Sequence, residues 1–363
     1  MSGINKSEIF KRQITLSEIG EKGQQKLQDA KVLVVGCGGL GSPIGVYLAS
    51  SGIGKLHLVD FDRVEITNLH RQVFYSLDDL GHYKSKTLAT YINKRAPFTS
   101  VDFSTESVTK ENVLALVSQY DIVVEATDSL ATKYLLNDAC VIQGKPLVYG
   151  SLYKFDGYVC TFNHLQDDGT FSGNLRDVFP KMNVEVPNCS EAGTLNAIVG
   201  MIATAQVNEV LKILTGTGKP LANEMLIYNA LQNTQLKMKF SSEIGKNKIQ
   251  SLFKTHTYFD VACSNQRPMW QISPDELKKI LLDKQLSQNF ILISVLPNLD
   301  LPFKVHQTIP IHEFDVDNFK IDTQKTYIMI CQRGLNSYKA TEHLKEKYPT
   351  LNVLSLTGGI QNY

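Results

Sequence analysis

The feature that most constrains the fold is a glycine-rich turn in the stretch K-V-L-V-V-G-C-G-G-L-G, which begins at Lys31. Lys31–Val35 is mostly β-branched or apolar and predicts a buried parallel strand, and apolar residues recur at helical spacing after the turn. Glycines let the backbone approach an anion, and the first N–H groups of a helix point at it. The stretch therefore predicts a phosphate cradle, whose glycines are Gly36, Gly38, Gly39 and Gly41.

The residues after the next strand indicate which class of ligand the cradle binds. Lys55–Val59 predicts that strand, and Asp60 follows it, where dinucleotide-binding folds place an acid that binds a ribose. Because the turn alone is typical of most such enzymes, an NAD-dependent oxidoreductase stays an alternative. Cationic side chains beside the cradle favour a triphosphate instead. The candidate ligand-binding residues of this block are Asp62, Asn68, Arg71, Gln72 and Lys84.

The order of elements predicts an α/β fold with a doubly wound, Rossmann-like sheet, because predicted strands and helices alternate from residue 31 to residue 151. The apolar strand at residues 121–126 is followed by Asp128. Open α/β sheets bind ligands at the carboxyl ends of their strands, so Asp128 is placed to hold a Mg²⁺ ion that bridges phosphates.

Composition excludes several classes of function. With a net charge of +1, the chain shows no basic surface that would indicate nucleic acid or a membrane. Its polar beginning, M-S-G-I-N-K-S-E-I, predicts no signal peptide and a cytoplasmic location. Residues 197–214 are apolar but include Gln206 and Glu209, which predicts a buried helix and not a membrane span.

Four motifs together resemble the MoeB/ThiF/HesA family, the ubiquitin-activating-enzyme-like adenylyltransferases of sulfur-carrier proteins. They are G-C-G-G-L-G, D-F-D-R-V-E-I-T-N-L-H-R-Q, T-D-S and N-C-S-E-A-G, and they lie between about residues 8 and 240. The resemblance implies a ThiF-type, ATP-binding domain over residues 1–240. It also implies the following roles: Asp60 holds the ribose of ATP, Asn68, Arg71 and Lys84 hold the triphosphate, Asp128 serves Mg²⁺ and acyl transfer, and Arg12 reaches the neighbour's ATP across a homodimer.

The reaction implied by this resemblance is adenylation. The C-terminal glycine of a small ubiquitin-like carrier that ends in Gly-Gly, similar to MoaD or ThiS, attacks the α-phosphate, and pyrophosphate leaves. Cys189 precedes a predicted helix, where a thiol can have a lowered pKa. It matches the cysteine that in this family takes the carrier as a thioester or acyl disulfide; simple packing of this cysteine is the alternative.

The zinc motif of the family is missing. Members commonly carry two C-x-x-C pairs, whereas the corresponding residues 171–175 and 241–247 contain no cysteine. The six cysteines show no zinc-ligand spacing, so no zinc site is expected. Cys37, Cys140 and Cys160 are expected to be buried by packing.

The last third of the chain predicts a small α/β domain. Polar residues 241–254 indicate a linker, placed at 241–264. Cys331 opens the loop C-Q-R-G-L-N-S between a strand and a helix, and successive N–H groups in such a loop can surround an anion or a persulfide. This loop resembles the active loop of rhodanese sulfurtransferases over residues 265–363, although residues 294–297 replace their usual D-V-R-E segment.

The two resemblances imply one reaction sequence. A persulfide on Cys331, loaded by a donor such as a cysteine desulfurase, attacks the activated carrier and yields a thiocarboxylate for molybdopterin or thiamine biosynthesis. An inert rhodanese-like fold and a non-catalytic scaffold that binds a carrier are the alternatives that remain open.

Overall fold

The computed structural model describes residues 6–180, 193–256, 258, 270–283, 285–297, 301–332 and 334–363. It divides into two compact units, Met1–Tyr258 and Phe259–Tyr363. Each unit has its own sheet and its own apolar core.

The first unit is built on an eight-stranded sheet in the order β3-β2-β1-β4-β5-β6-β7-β8. The strands from β3 to β5 are parallel, and β6, β7 and β8 are added antiparallel. The bounds are β1 Lys31–Val35, β2 Lys55–Val59, β3 Ser100–Ser104, β4 Ile122–Glu125, β5 Leu147–Tyr153, β6 Asp156–Phe162, β7 Glu224–Asn229 and β8 Thr234–Lys239.

Helices cover both faces of this sheet. Val32 and Val34 of β1 belong to one apolar cluster, and Leu33 and Val35 belong to another on the opposite face. The helices are α1 Lys6–Ile9, α2 Lys11–Ile14, α3 Gly20–Asp29, α4 Gly41–Ser50, α5 Lys84–Arg95, α6 Val113–Ser118, α7 Leu130–Gln143, α8 Leu175–Val178, α9 Asn196–Thr215 and α10 Lys246–Thr255. The predicted doubly wound sheet is thus confirmed.

The strand order also locates the site. From β1 the chain moves through β2 to β3 on one side, and it then crosses to β4 on the other side of β1. The gap between the carboxyl ends of β1 and β4 is the topological switch point, the place where open α/β sheets bind ligands. The glycine turn follows β1, and Asp128 follows β4.

Two segments differ from the sequence prediction. Lys246–Thr255, predicted within a linker, is the helix α10, because Ile249 and Phe253 lie one turn apart and both are buried. β8 was not predicted, since all six of its residues are exposed and the strand is held by backbone pairing with β7.

The helix α9 is, among the described residues, the one that is long and apolar enough to cross a membrane. It packs on β5 and β6, and its Gln206 and Glu209 are buried in contact with the sheet and its loops. A buried role for this helix was predicted from these polar residues.

The second unit has a five-stranded, all-parallel sheet in the order β11-β10-β12-β13-β9. Apolar clusters lie on both of its faces. The strands are β9 Gln271–Ile272, β10 Phe290–Ser294, β11 Gln307–Thr308, β12 Thr326–Ile330 and β13 Val353–Leu356, and the helices are α11 Pro274–Leu282 and α12 Leu335–Lys347.

Candidate active site

The glycine turn has no room for side chains at two of its positions. Gly36 has a φ of +91°, and a Cβ there would lie 2.6 Å from the carbonyl oxygen of Ala126. A Cβ on Gly41 would lie 1.7 Å from the carbonyl oxygen of Gly36. The turn therefore closes tightly onto the end of β4 before α4 begins, and a cradle of backbone N–H groups results.

The backbone of the turn is tied to Asp60 at the end of β2. One carboxylate oxygen accepts a hydrogen bond from the N–H of Cys37 at 2.7 Å, and the other accepts one from the N–H of Asp62 at 2.8 Å. Burial raises the pKa of Asp60 to about 6, although the nearby Lys84 lowers it. The structure thus holds this carboxylate at the cradle, and its role as a ribose ligand stays a prediction.

Lys84 lies at the start of α5, and its Nζ pairs with the Asp62 carboxylate at 2.9 Å. Burial alone would lower the pKa of this lysine, but Asp60, Asp62 and Asp128 raise it above its ordinary value. The ammonium group is therefore charged and nearly buried beside the turn. It pairs with a predicted residue, Asp62, that follows β2.

Asn68 ends a short 3₁₀ helix over Ile66–Asn68, and Arg71 and Gln72 follow it. Arg71 donates from Nη1 to the carbonyl of Thr67 at 3.0 Å, and its backbone lies against Gly39. Gln72 is buried with its side-chain amide near Gly38, and its Oε1 has no hydrogen-bond partner among the described residues. An unpaired buried acceptor beside the cradle fits a site that is completed by a ligand.

Asp128 is exposed just after β4, and the turn before it is fixed by Glu125. One oxygen of the fully buried Glu125 accepts hydrogen bonds from Thr127, from N–H at 2.7 Å and from Oγ1 at 2.6 Å. Its other oxygen pairs with Lys133, whose Nζ also donates to the carbonyl of Gly150 at 3.1 Å. This buried ion pair holds the turn that carries Asp128.

Sequence reasoning missed several residues that shape the site. The Tyr75 hydroxyl lies 2.7 Å from the carbonyl oxygen of Cys37 and 3.2 Å from that of Lys84, and its one proton, shared between them, joins the turn to α5. Glu125 and Lys133 were missed as well. A glutamate within the otherwise apolar D-I-V-V-E-A was a usable signal, because a buried carboxylate requires a partner.

Arg12 is a predicted residue that its own chain does not bring to this site. Arg12 is exposed on α2, and its neighbour Gln13 donates to the carbonyl of Ser51 at 3.1 Å. Ser51 lies at the far end of α4, about 15 Å from the glycine turn for a helix of this length. Cys189 lies outside the described residues.

Residues 171–175 and 241–247, which correspond to the zinc-binding stretches of the family, contain hydrogen-bonding groups and no set of zinc ligands. Asp177 accepts hydrogen bonds from the N–H groups of Glu243 at 3.0 Å and Ile244 at 2.7 Å, and Asn174 donates to the carbonyl of Ile244 at 2.9 Å. Structural zinc takes thiolates and imidazoles, so these groups do not fit it. In the described part of the chain, no cluster of three or more His, Cys, Asp or Glu could hold a metal ion.

The cysteines of the first unit that the structure describes are poor nucleophiles, because the pKa of each thiol is raised. Cys37, Cys140 and Cys160 are fully buried, as predicted, and burial raises the pKa of each thiol. None of them is a candidate nucleophile.

Cys331 in the second unit has different surroundings. It follows β12 and is buried, and its Sγ accepts hydrogen bonds from the N–H groups of Gly334 at 3.0 Å and Ser337 at 3.3 Å. Gly334 has a φ of +85° and precedes α12. Where rhodaneses have an acid, Ser294 turns its hydroxyl to the carbonyl of Leu296 at 3.0 Å. The loop directs N–H groups at the sulfur, as expected for a site that holds an anionic sulfur.

Comparison with known proteins identifies a family and several relatives that this chain resembles. Residues 10–248 match the ThiF family. The sulfur carrier protein adenylyltransferase of Thermus thermophilus is 41% identical over 225 residues, which cover 61% of this chain and 83% of the relative. The adenylyltransferase and sulfurtransferase MOCS3 of Culex quinquefasciatus is 35% identical and covers 94% of this chain and 83% of the relative.

A further relative and a solved structure extend the comparison. The probable adenylyltransferase/sulfurtransferase MoeZ of Mycobacterium tuberculosis is 31% identical and covers 99% of this chain and 93% of the relative. The crystal structure of Escherichia coli MccB with ATP has a TM-score of 0.54 at 24% identity, and covers 61% of this chain and 67% of that chain. At this identity the likeness concerns the fold.

Proposed function

The chain belongs to the ThiF family, and from that premise we propose that its first unit adenylates the C-terminal glycine of a small sulfur-carrier protein. The relatives named above are adenylyltransferases, and two of them are also sulfurtransferases. The observation that carries the proposal is that the Asp60 carboxylate is hydrogen-bonded to the glycine turn and that the ammonium group of Lys84 pairs with the neighbouring Asp62. This arrangement suits a triphosphate and a ribose beside an attacking carboxylate.

Each residue has a role in this reaction. Asp60 holds the ribose, the turn's N–H groups hold phosphate oxygens, and Lys84 neutralises the charge that develops on the leaving pyrophosphate. Asn68, Arg71 and Gln72 complete the phosphate side. The glycine carboxylate displaces pyrophosphate at the α-phosphorus, and the enzyme contributes mainly position and charge.

Asp128 is the residue that would hold Mg²⁺, because it is an exposed carboxylate at the switch point and within the field of Lys84. The ion supplies charge neutralisation on the phosphates when it is bound. Arg12 is remote from the turn of its own chain, which supports a homodimer in which it serves the neighbour's ATP. No zinc takes part in this proposal.

The second unit supplies sulfur in this proposal. A donor such as a cysteine desulfurase leaves a persulfide on Cys331, and the terminal sulfur attacks the acyl adenylate with loss of AMP. The resulting acyl disulfide is cleaved by the thiolate of Cys189, which releases the thiocarboxylate and forms a Cys189–Cys331 disulfide. A cellular dithiol then reduces this disulfide. The hydrogen bonds to Cys331 Sγ support its role as the sulfur carrier.

The direct test of adenylation is ATP–pyrophosphate exchange by the full chain with a purified carrier that ends in Gly-Gly. Exchange is expected only when the carrier is present. Asp128→Asn should lower the exchange rate roughly 100-fold or more, because several kcal/mol of charge stabilisation are lost. The exposed Asp167→Asn is the matched control and should leave the rate unchanged. Failure to exchange with any such carrier would refute the proposal.

The sulfur-transfer half is tested separately. Cys331→Ala is expected to abolish persulfide loading and to leave exchange intact, because the two sites use different residues. Loss of both activities in this variant would show that the division of labour is wrong.

Two alternatives predict different binding. An NAD-dependent oxidoreductase would bind NAD(H) tightly and ATP not at all. A scaffold would bind the carrier without turning over ATP.

A further inference from the structure

Three buried side chains of the second unit form a chain of contacts that begins at the proposed sulfur carrier. Cys331 Sγ lies 3.2 Å from Ser337 Oγ, and Ser337 Oγ lies 2.8 Å from Ser355 Oγ. All three residues are at most 2% exposed. Ser355 belongs to β13, outside the Cys331 loop, and the parallel pairing of β12 with β13 brings it there.

The direction of these hydrogen bonds follows from the number of partners. Within the described residues, the Ser355 hydroxyl has Ser337 Oγ as its one hydrogen-bond partner. A buried hydroxyl loses free energy when its proton has no acceptor, so Ser355 donates to Ser337. A hydroxyl has a single proton, and Ser337 must therefore donate that proton to Cys331 Sγ.

The sulfur then receives three donors. They are the N–H of Gly334 at 3.0 Å, the N–H of Ser337 at 3.3 Å and the O–H of Ser337 at 3.2 Å. Donors of this kind stabilise a negative sulfur and compete with a sulfur that carries its own proton. Of these donors, only the O–H of Ser337 depends on orientation, because a hydroxyl can rotate.

We propose that Ser355 is a positioning residue for Cys331: its hydroxyl orients the Ser337 hydroxyl as a donor to the sulfur and so favours the anionic form. The proposal rests on the proposed role of Cys331 in sulfur transfer. The only chemical change involved is ionisation, in which the thiol proton leaves Sγ for solvent and the sulfur keeps the electron pair. Ser355 exchanges no proton with the sulfur and acts through Ser337.

The experiment measures alkylation of Cys331 by iodoacetamide against pH in the full chain, with the Cys331 peptide quantified by mass spectrometry. Ser355→Ala should move the midpoint of the rate profile upward by about one pH unit, the size of a modest hydrogen-bond loss to a charged group. Ser355→Thr retains the hydroxyl and should restore the midpoint. Thr341→Val is the matched control, because the buried Thr341 donates at 2.9 Å to the carbonyl of Ser337 and not to its hydroxyl.

A double-variant comparison separates positioning from general damage. Ser337→Ala should shift the midpoint at least as far as Ser355→Ala, and adding Ser355→Ala to it should cause no further shift. A further shift in the double variant, an unchanged midpoint in Ser355→Ala, or an equal shift in Thr341→Val would overturn the proposal. If Ser355→Ala fails to fold, the midpoints of Ser355→Thr and Ser355→Cys decide. Ser355→Thr keeps a hydroxyl donor and should retain the wild-type midpoint, whereas the thiol of Ser355→Cys is a weaker donor and should not.

This readout is independent of sulfur transfer. If Ser355→Ala moves the midpoint as expected but the wild-type chain never accepts a persulfide, the sulfur-transfer proposal fails and the positioning role of Ser355 stands.

Discussion

The backbone N–H of Cys37 donates a 2.7 Å hydrogen bond to the carboxylate of Asp60, and this contact fastens the glycine turn to the end of the second strand. The carboxylate that fixes the turn is thus also the group that is proposed to bind the ribose. Its second oxygen accepts the N–H of Asp62, which leads into the block that is proposed to hold the phosphates.

Asp60 is expected to make ATP binding depend on pH near 6. Burial raises its pKa to about 6, against the opposing effect of Lys84. As the pH falls through this value, the carboxylate takes up a proton and becomes a poorer acceptor for amides and ribose hydroxyls. The ATP dissociation constant, measured by calorimetry from about pH 7.5 to about pH 5, should rise more in the wild type than in Asp60→Asn.

Unfolding does not explain that loss of affinity. A carboxyl whose pKa is higher in the folded state than in the unfolded chain stabilises the fold as the pH falls from about 6 towards 4. Titration of the ATP phosphates is common to both proteins and cancels in the comparison. Parallel pH profiles for the wild type and Asp60→Asn would contradict the role given to Asp60.

Gly41→Ala is expected to abolish ATP binding. Its Cβ would lie 1.7 Å from the carbonyl oxygen of Gly36, so the turn must open and its N–H groups move. Gly200→Ala is the matched control, because Gly200 lies within α9 with open space at its Cβ. That control should bind ATP normally and gain up to about 1 kcal/mol of stability. Normal ATP binding by Gly41→Ala would show that the turn is not the cradle.

Lys133→Met is expected to destabilise the first unit by about 3–5 kcal/mol, since it leaves the buried Glu125 carboxylate without its cation. Urea denaturation measures the change. Lys55→Met removes the exposed pair with Asp102 and should cost no more than about 1 kcal/mol. Adding Glu125→Gln to Lys133→Met should recover part of the loss, because the unpaired charge is gone. Equal costs for the two lysines would contradict a buried ion pair.

Asp177→Ala should lower the free energy of unfolding by about 1–3 kcal/mol, because the N–H groups of Glu243 and Ile244 lose their acceptor. The exposed Asp168 accepts only from Thr170 among the described residues, so Asp168→Ala should cost less. Elemental analysis of the purified chain is expected to find no stoichiometric zinc. One zinc per chain, with stability that chelators remove, would refute this account of residues 171–175 and 241–247.

The sequence by itself determined the secondary structure of short segments and the residues that lie close together along the chain. β1 and β2 have the bounds that were predicted, because a short apolar run and a glycine turn depend on residues that are near in the chain. For the same reason Asp60, Asp62 and Lys84 could be assigned to one site. The Cys331 loop was equally visible as a strand, a turn and a helix.

Only the tertiary structure decided which distant groups meet. The exposed strand β8 and the helix α10 escaped prediction because their existence depends on the neighbours they pair with. The bond from Tyr75 to Cys37, the pair of Glu125 and Lys133, and the approach of Ser355 to Ser337 follow from strand order and helix packing. Such contacts join separate elements, so no periodicity along the chain predicts them. They form because polar groups that become buried when the sheet forms must find hydrogen-bond partners.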